Sequence, residues 1–189
     1  MVTKSSIRKE KLYLRGQIQE EERECMSLVI KEHVLELSCI QNAETGLCSA
    51  GYLSEVSTTE LIKELLFLRK KVYLPKVNGE EMEFYRIEGL KDLTAGYKGI
   101  PEPSDACTEI YEINKDSSVV MIMPGCAFAL DGSRVGYGKG YYDRYLEKHD
   151  IVKRVALCFS VQLTENIPTD SYDKKASLLI TEKGIIYCS

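Results

Sequence analysis

The sequence has no tryptophan and only two histidines, His33 and His149, in 189 residues. His33 falls within a helical pattern, and His149 falls at a predicted helix end. Ser-His and Cys-His catalytic sites need a histidine beside the nucleophile, so these two positions argue against hydrolytic machinery of either type. Catalysis by this chain would instead use lysine, arginine, carboxylates and metal.

None of the seven cysteines forms a C-x-x-C pair or has a histidine at the spacing of a zinc site. Their number is odd, so we expect reduced thiols, most of them buried. No apolar run approaches the ~18 residues of a membrane span, and no signal-like apolar segment follows the polar residues 1–11. These absences predict a cytoplasmic protein without a membrane partner.

A basic face is also lacking, because the net charge is −4 and the pI is near 5.4. We therefore expect no nucleic-acid partner. The length fits one domain, so residues 1–189 are predicted to form a single domain. We expect this domain to act as a monomer on small-molecule substrates.

The most informative stretch is residues 123–144, which holds five of the thirteen glycines. Residues 118–123 before it form an unbroken apolar run, which predicts a strand buried on both faces of a parallel sheet. Residues 141–149 after it predict a helix. A glycine-rich turn from such a strand into a helix exposes backbone N–H groups at the positive end of the helix dipole, where phosphate groups bind. The stretch therefore predicts a phosphate-binding turn.

Two familiar phosphate motifs do not fit this turn. Gly136, Gly138 and Gly140 are spaced G-x-G-x-G, which differs from the dinucleotide fingerprint by one position. Lys139 is followed by Gly140 where a P-loop needs serine or threonine. A glycine-rich connection without a ligand is the alternative interpretation. However, Arg134 and Lys139 add positive charge that favours an anion. The nearby carboxylate of Asp143 could bind a metal ion that accompanies that anion.

Residues 3–15 predict a helix with four cationic side chains along one side. These side chains, spaced by four, three and four residues, are Lys4, Arg8, Lys11 and Arg15. A stripe of this kind is commonly a solvent-exposed face. The functional alternative is a surface that binds a triphosphate, because lysine and arginine pair with phosphate oxygens.

The remaining chain alternates between strands and helices. Helices are predicted at 20–37 and 59–69, and strands at 45–53, 71–74, 81–87, 152–159, 178–181 and 184–187. The strand at 71–74 is predicted to end at Pro75. This alternation predicts a three-layer α/β/α domain with a mainly parallel, Rossmann-like sheet, whose ligands gather at the carboxyl ends of the strands.

Residues 123–144 read M-P-G-x-x-F-x-x-x-G-x-R-x-G-Y-G-K-G-Y-Y-D-R, which resembles the signature of the 5-formyltetrahydrofolate cyclo-ligases, also called methenyltetrahydrofolate synthetases. K-x-x-I-R-K at 4–9 is similar to the first helix of that family. S-E-V-S-T at 54–58 is similar to its G-E-V-D-T turn, and G-Y-K-G-I-P-E-P at 96–103 to its G-I-x-E-P segment. This sequence departs from the family pattern at Ser57, Ala129 and Ser177, where many members have aspartate.

The resemblance implies an ATP- and Mg²⁺-dependent enzyme that converts 5-formyltetrahydrofolate to 5,10-methenyltetrahydrofolate through a phosphorylated formyl (imidate) intermediate. The implied ATP-binding residues are Lys4, Arg8, Arg134, Val135, Gly136, Tyr137, Gly138, Lys139, Gly140, Tyr141 and Tyr142. The implied folate-binding residues are Glu55, Tyr137, Gly138, Lys139, Gly140 and Tyr141. Lys139, Arg134 and Asp143 are the implied catalytic residues, and Asp143 with Asp173 would hold the metal.

Two functions of other classes fit parts of the same evidence. The departures at Ser57, Ala129 and Ser177 would suit a folate-binding protein that has lost turnover. The glycine-rich turn by itself would suit a regulator that binds a nucleotide or a sugar phosphate on a similar α/β scaffold. The alternative to folate binding by Glu55 is that it has no ligand, because a loop carboxylate is often only solvated.

Overall fold

A seven-stranded sheet forms the centre of the protein in a computed structural model that describes residues 2–112 and 118–188. The helices are α1 (Lys4–Gly16), α2 (Glu20–Glu36), α3 (Ser38–Gln41), α4 (Thr59–Phe67) and α5 (Tyr141–Lys148). The strands are β1 (Thr45–Leu47), β2 (Lys71–Asn78), β3 (Glu81–Ile87), β4 (Leu93–Ala95), β5 (Pro101–Pro103), β6 (Val119–Met123), β7 (Ala127–Ala129), β8 (Arg134–Val135), β9 (Arg154–Leu157), β10 (Leu163–Thr164), β11 (Leu178–Thr181) and β12 (Gly184–Tyr187).

The strand order of the large sheet is β12-β11-β9-β6-β1-β2-β3. The five inner strands run parallel to one another, and the edge strands β3 and β12 are antiparallel to their neighbours. The predicted mainly parallel sheet is therefore confirmed. No helix among the described residues is both long and apolar enough to span a membrane.

The central strand β6 is buried on both faces, as its apolar run predicts. Val120 and Ile122 belong to a core that includes residues of α2 and α4. Met121 and Met123 belong to a second core on the opposite face, with residues of α5. Each of these side chains contributes roughly 2 kcal/mol through burial. Helices on both faces of the sheet confirm the three-layer architecture.

The sheet changes direction between β1 and β6. The chain passes from β1 through α4 to β2 on one side of β1, and it later enters β6 on the other side. In open parallel sheets, ligands bind at such a point, outside the carboxyl ends of the two strands. The segments that follow β1 and β6 carry Glu55 and the glycine-rich turn, so the topology places both at this edge.

The predicted strand at 45–53 is too long, because only Thr45–Leu47 pairs in the sheet. The chain then makes a tight turn in which a side chain on Gly51 would place its Cβ 2.4 Å from the Val56 carbonyl oxygen. The Thr58 hydroxyl accepts a hydrogen bond from the Gly51 amide at 3.0 Å and fixes this turn. Local turn contacts therefore end the strand early.

The predicted end of β2 at Pro75 is also wrong, because β2 continues to Asn78. The Cys48 amide donates to the Tyr73 carbonyl at 2.8 Å, so the odd-numbered residues of β2 direct their backbone groups towards β1. Strand β1 has already ended beside Pro75. The missing N–H of proline consequently removes no hydrogen bond from the sheet.

The glycine-rich segment does not lead directly from the buried strand into the helix. Strands β7 and β8 form an antiparallel hairpin between β6 and the turn at 136–140, and β10 pairs parallel with β7 in a small second sheet. The predicted helix after the turn is confirmed as α5, which begins at Tyr141. The turn that is predicted to bind phosphate is thus the connection from β8 to α5.

We predict that Gly132→Ala destabilises the protein while Gly16→Ala does not. Gly132 has φ +83°, and an added Cβ would lie 2.1 Å from the Ala176 carbonyl oxygen. This collision with backbone should lower the free energy of unfolding by roughly 2 kcal/mol or more. Gly16 ends α1 with no atom near its would-be Cβ, so alanine there should be neutral or stabilising. Urea unfolding followed by circular dichroism measures both, and equal midpoints would contradict the prediction.

Candidate active site

A cleft opens at the carboxyl ends of β1, β6 and β9, at the point where the sheet changes direction. It contains 290 Å³ of space between atoms, including its open mouth. Glu55 lines it from the loop after β1, Gly125 from the segment after β6, and Arg15 from α1. Polar groups from three separate segments therefore meet at one edge of the sheet.

The cationic side of α1 faces this edge. The Arg8 Nε donates to the Gly136 carbonyl at 2.7 Å, and its guanidinium also approaches Gly138, whose added Cβ would lie 3.5 Å away. Arg15 is only 3% exposed, although a solvated stripe would leave it in water. Lys11 forms an ion pair only with Glu10 among the described residues. Two of the four cationic residues, Arg8 and Arg15, thus contact the turn.

The turn itself presents backbone groups at the start of α5. Gly138 has φ +92° and Gly140 has φ +68°, conformations that favour glycine. Gly140 is the N-cap of α5 and supplies no side-chain hydrogen bond to the first amides of the helix. Those amides are therefore suited to an anion, as the sequence predicts.

Arg134 and Asp143 form a largely buried ion pair beneath the turn. The Arg134 Nη2 donates to the Asp143 Oδ1 at 2.8 Å, with the arginine side chain 5% exposed. The guanidinium also lies 5.7 Å from the ring centre of Tyr142. Its Nε is buried without a hydrogen-bond partner among the described residues. Val135 differs from these residues, since its side chain packs in a small apolar core.

The two predicted metal ligands lie on neighbouring segments. The Lys174 amide donates to the Asp143 Oδ1 at 3.1 Å, which brings the preceding residue, Asp173, close to Asp143. The Asp173 Oδ2 accepts from the Lys4 Nζ at 2.5 Å. Burial opposes the charge of Lys4, but its hydrogen bonds to Asp170 and Asp173 raise its pKa. No group of three or more acidic, histidine or cysteine side chains arranged for a metal occurs in the described segments.

Glu55 is fixed at both carboxylate oxygens. The Tyr137 hydroxyl donates to its Oε1, and the Tyr52 amide donates to its Oε2 at 3.0 Å. Burial raises the pKa of Glu55, and the Tyr137 hydrogen bond and the Arg15 charge partly offset this effect. Burial likewise raises the pKa of Tyr137, which is therefore a neutral donor. The structure thus brings Glu55 and Tyr137 together, as the predicted folate site requires.

Two predicted side chains do not join this group. Lys139 is exposed, and its ammonium forms no ion pair within the described part of the chain, while its carbonyl accepts from Arg144 at 2.7 Å. The Tyr141 hydroxyl donates to the Gly79 carbonyl at 3.2 Å. Tyr141 therefore contacts the turn between β2 and β3, and Lys139 extends from the rim of the site.

Two residues of the cleft were missing from the predicted site. Gln162 is 1% exposed, and its Nε2 donates to the carbonyls of Gly125 and Cys126 at 3.0 and 3.2 Å. Arg15 donates to groups on three of the surrounding segments. Arg15 belongs to the cationic stripe, but the spacing of the stripe does not show where each side chain points. Gln162 lies outside the motifs that predict the site.

Similarity to known proteins extends over almost the whole chain. A sequence model of the 5-formyltetrahydrofolate cyclo-ligase family matches residues 1–182. The chain is 34% identical over 146 residues to a "probable 5-formyltetrahydrofolate cyclo-ligase" of Schizosaccharomyces pombe, covering 70% of this chain and 71% of that protein. It is 28% identical over 172 residues to the 5-formyltetrahydrofolate cyclo-ligase of Mus musculus, covering 86% and 85%.

A solved structure agrees with these sequence similarities. The NMR structure of Aquifex aeolicus 5,10-methenyltetrahydrofolate synthetase matches this fold with a TM-score of 0.83 and 34% sequence identity, covering 97% of this chain and 92% of that chain. The chain therefore belongs to the 5-formyltetrahydrofolate cyclo-ligase family of enzymes.

Proposed function

We propose that the protein converts 5-formyltetrahydrofolate to 5,10-methenyltetrahydrofolate in a reaction that consumes ATP and requires Mg²⁺. Besides family membership, one observation carries the proposal. Arg15 of α1 and Glu55 line a single cleft, and the turn at 136–140 adjoins it through the hydrogen bond from Tyr137 to Glu55. This arrangement, with Arg8 against the turn, supports a cationic phosphate site beside a site for a polar ring. The cytoplasmic, monomeric state predicted from the sequence stays a prediction.

The reaction needs an activated formyl group, because the oxygen of a formyl group that is bonded to nitrogen is a poor leaving group. In the proposed sequence, the N5-formyl oxygen attacks the γ-phosphorus of ATP, and ADP leaves with the bridging oxygen. N10 of the same folate then attacks the activated carbon. The bond from that carbon to oxygen breaks, inorganic phosphate leaves, and N10 loses its proton. The protein contributes mainly alignment and charge neutralisation.

The cations around the turn at 136–140 would neutralise the phosphates. Arg8 lies against the turn, and Arg134 lies beneath it. The amides that begin α5 would bind phosphate oxygens. Lys139 is exposed at the rim and can swing towards a bound γ-phosphate, and Lys4 lies at the N-terminal end of the same cationic side of α1.

The residues present fit a magnesium ion. Mg²⁺ in nucleotide sites is held by one or two carboxylates, phosphate oxygens and water, and the carboxylates of Asp143 and Asp173 lie on adjacent segments. Both residues would hold the ion. When bound, Mg²⁺ supplies charge compensation for the phosphates. Until then the protein balances these carboxylates with Arg134 and Lys4.

Glu55 would bind the folate. Its carboxylate can accept hydrogen bonds from N–H groups of a reduced pterin, and the Tyr137 ring, half exposed beside it, offers an apolar surface. An ionised carboxylate has free lone pairs, so Glu55 can accept from the ligand while it keeps its hydrogen bond from Tyr137. The ionised form of Glu55 is the acceptor, so the raised pKa predicts loss of folate binding as the pH falls through it.

The departures from the family pattern do not favour a protein without turnover. Ala129 is buried in the small core beside α1. The Ser177 hydroxyl donates to the Arg154 carbonyl at 2.8 Å, on the edge opposite to the cleft. Ser57 is exposed, and its amide donates to the Ser27 hydroxyl. None of the three lines the cleft, so their identities leave its contacts intact.

We predict that the purified protein forms methenyltetrahydrofolate only when both ATP and Mg²⁺ are present. We also predict that Lys139→Ala lowers kcat/KM for ATP. Removal of one cation that contacts the transferring phosphate should cost about 10²-fold. A spectrophotometric assay of methenyl-folate formation measures this. Lys148→Ala is the matched control, because Lys148 is an exposed lysine of α5 that pairs with Glu81. Near wild-type turnover in Lys139→Ala would contradict the assignment of that lysine.

A second prediction separates the metal role of Asp143 from its structural role. Asp143→Ala should lower the free energy of unfolding by roughly 3 kcal/mol, because Arg134 is left buried and unpaired. Asp143→Asn keeps an acceptor for Arg134 and should retain more of this stability, but it should raise the Mg²⁺ concentration needed for half-maximal turnover. Urea unfolding and Mg²⁺ titrations measure the two effects. An unchanged Mg²⁺ dependence in Asp143→Asn would exclude Asp143 as a ligand.

A further inference from the structure

Arg15 lies at the inner end of the cationic side of α1, with its side chain almost fully buried at the cleft. Its Nε donates to the Ser54 hydroxyl at 3.0 Å. Its Nη2 donates to the Tyr137 hydroxyl at 3.0 Å, and its Nη1 makes a longer contact with the Gly125 carbonyl at 3.4 Å. Gly125 lines the cleft, whereas Ser54 precedes the lining residue Glu55 and Tyr137 donates a hydrogen bond to it. The three partners belong to three different segments.

The hydrogen bonds are donated in one order, from Arg15 to Tyr137 and from Tyr137 to Glu55. A guanidinium can only donate, so the Tyr137 oxygen accepts from Arg15. The single proton of the Tyr137 hydroxyl is then left for Glu55, whose Oε1 accepts it. Arg15 also holds Ser54, the residue that precedes Glu55. Glu55 is therefore oriented by Arg15 through its backbone neighbour and through the tyrosine.

The buried charge of Arg15 also depends on this arrangement for its compensation. No carboxylate in the described part of the chain forms a direct ion pair with it, although an unpaired buried charge is costly. Glu55 supplies the compensating charge through one hydroxyl group. The charged and titratable groups that face Glu55 are Arg15 from α1, Tyr137 from the turn, Tyr142 from α5 and Cys126 after β6. Arg15 is the cation of this set.

We propose that Arg15 is a positioning residue of the folate site, which fixes the Tyr137 hydroxyl and the segment of Ser54 and Glu55 so that the Glu55 carboxylate faces the cleft. The proposal rests on the proposed function only for its kinetic consequences. It assigns to Arg15 a role distinct from the nucleotide-binding role proposed for Lys4 and Arg8.

The kinetic experiment compares Arg15→Gln, Tyr137→Phe and the double variant. Arg15→Gln should lower kcat/KM for 5-formyltetrahydrofolate by about tenfold or more, through misplacement of Glu55, and leave the KM for ATP within about twofold. In the Tyr137→Phe background, Arg15→Gln should have a clearly smaller effect, because the two residues act as a unit. Additive effects, or a parallel rise in both KM values, would overturn the proposal.

The pH dependence of kcat/KM distinguishes a positioning role of Arg15 from a merely structural role, which would leave that dependence unchanged. The Arg15 charge favours ionised Glu55, so its removal should shift the acid limb of kcat/KM to higher pH. Arg15→Lys keeps a cation without the planar fork, so it should lower kcat/KM while its acid limb stays closer to that of wild type. Lys9→Met removes an exposed cation from α1 and is the matched control.

A third measurement needs no turnover and keeps the proposal testable if the proposed function fails. Titration of the Glu55 carboxyl by ¹³C NMR, assigned with Glu55→Gln, should give a higher pKa in Arg15→Gln than in wild type. Circular dichroism shows whether Arg15→Gln is folded. If Arg15→Gln does not fold, Arg15→Lys is measured in its place, and its Glu55 pKa should be close to that of wild type. An unchanged pKa in folded Arg15→Gln, or a pKa in Arg15→Lys raised well above wild type, overturns the proposal.

Discussion

Helix α1 packs its cationic side against the turn that joins β8 to α5, and this contact shapes both ends of the candidate site. Near the start of the helix, Lys4 reaches Asp173, and Arg8 donates to the turn. Near its end, Arg15 reaches the loop that follows β1. Ile7, between them, packs with apolar residues of β7 and β8. One helix thereby connects segments that follow different strands of the sheet.

Four ionic side chains of the candidate site form two pairs of opposite sign. Arg134 contacts Asp143, and Lys4 contacts Asp173. A nucleotide bound with Mg²⁺ carries both signs, so it can offer phosphate oxygens to the cations and a metal ion to the carboxylates. Exchange of partners in this way leaves no buried charge alone, which would otherwise cost several kcal/mol. The same logic applies to Glu55, which is already paired through Tyr137.

Patterns with a strong period or a complete motif predicted the fold well. The apolar run of β6 and the start of α5 at Tyr141 follow from local sequence alone. The hairpin of β7 and β8 was missed, because strands of three and two residues carry no measurable period. The burial of Arg15 could not be predicted either. Residue spacing places it on one side of α1, but its contact with Tyr137, 122 positions away, depends on how the helix docks.

The geometry of α1 also sets the distance between the proposed phosphate site and the proposed folate site. Lys4 and Arg15 are separated by about 16 Å along the helix axis, at 1.5 Å per residue. A capping box at Thr3 fixes the first turn, and the buried Arg15 fixes the last. Transfer of a phosphoryl group requires the reacting atoms to approach within about 3–3.5 Å. A tilt of α1 would displace the proposed phosphate site and the proposed folate site together, whereas movement of one loop would displace only one. If the proposed function holds, alignment of the two substrates therefore depends on rigid docking of this helix.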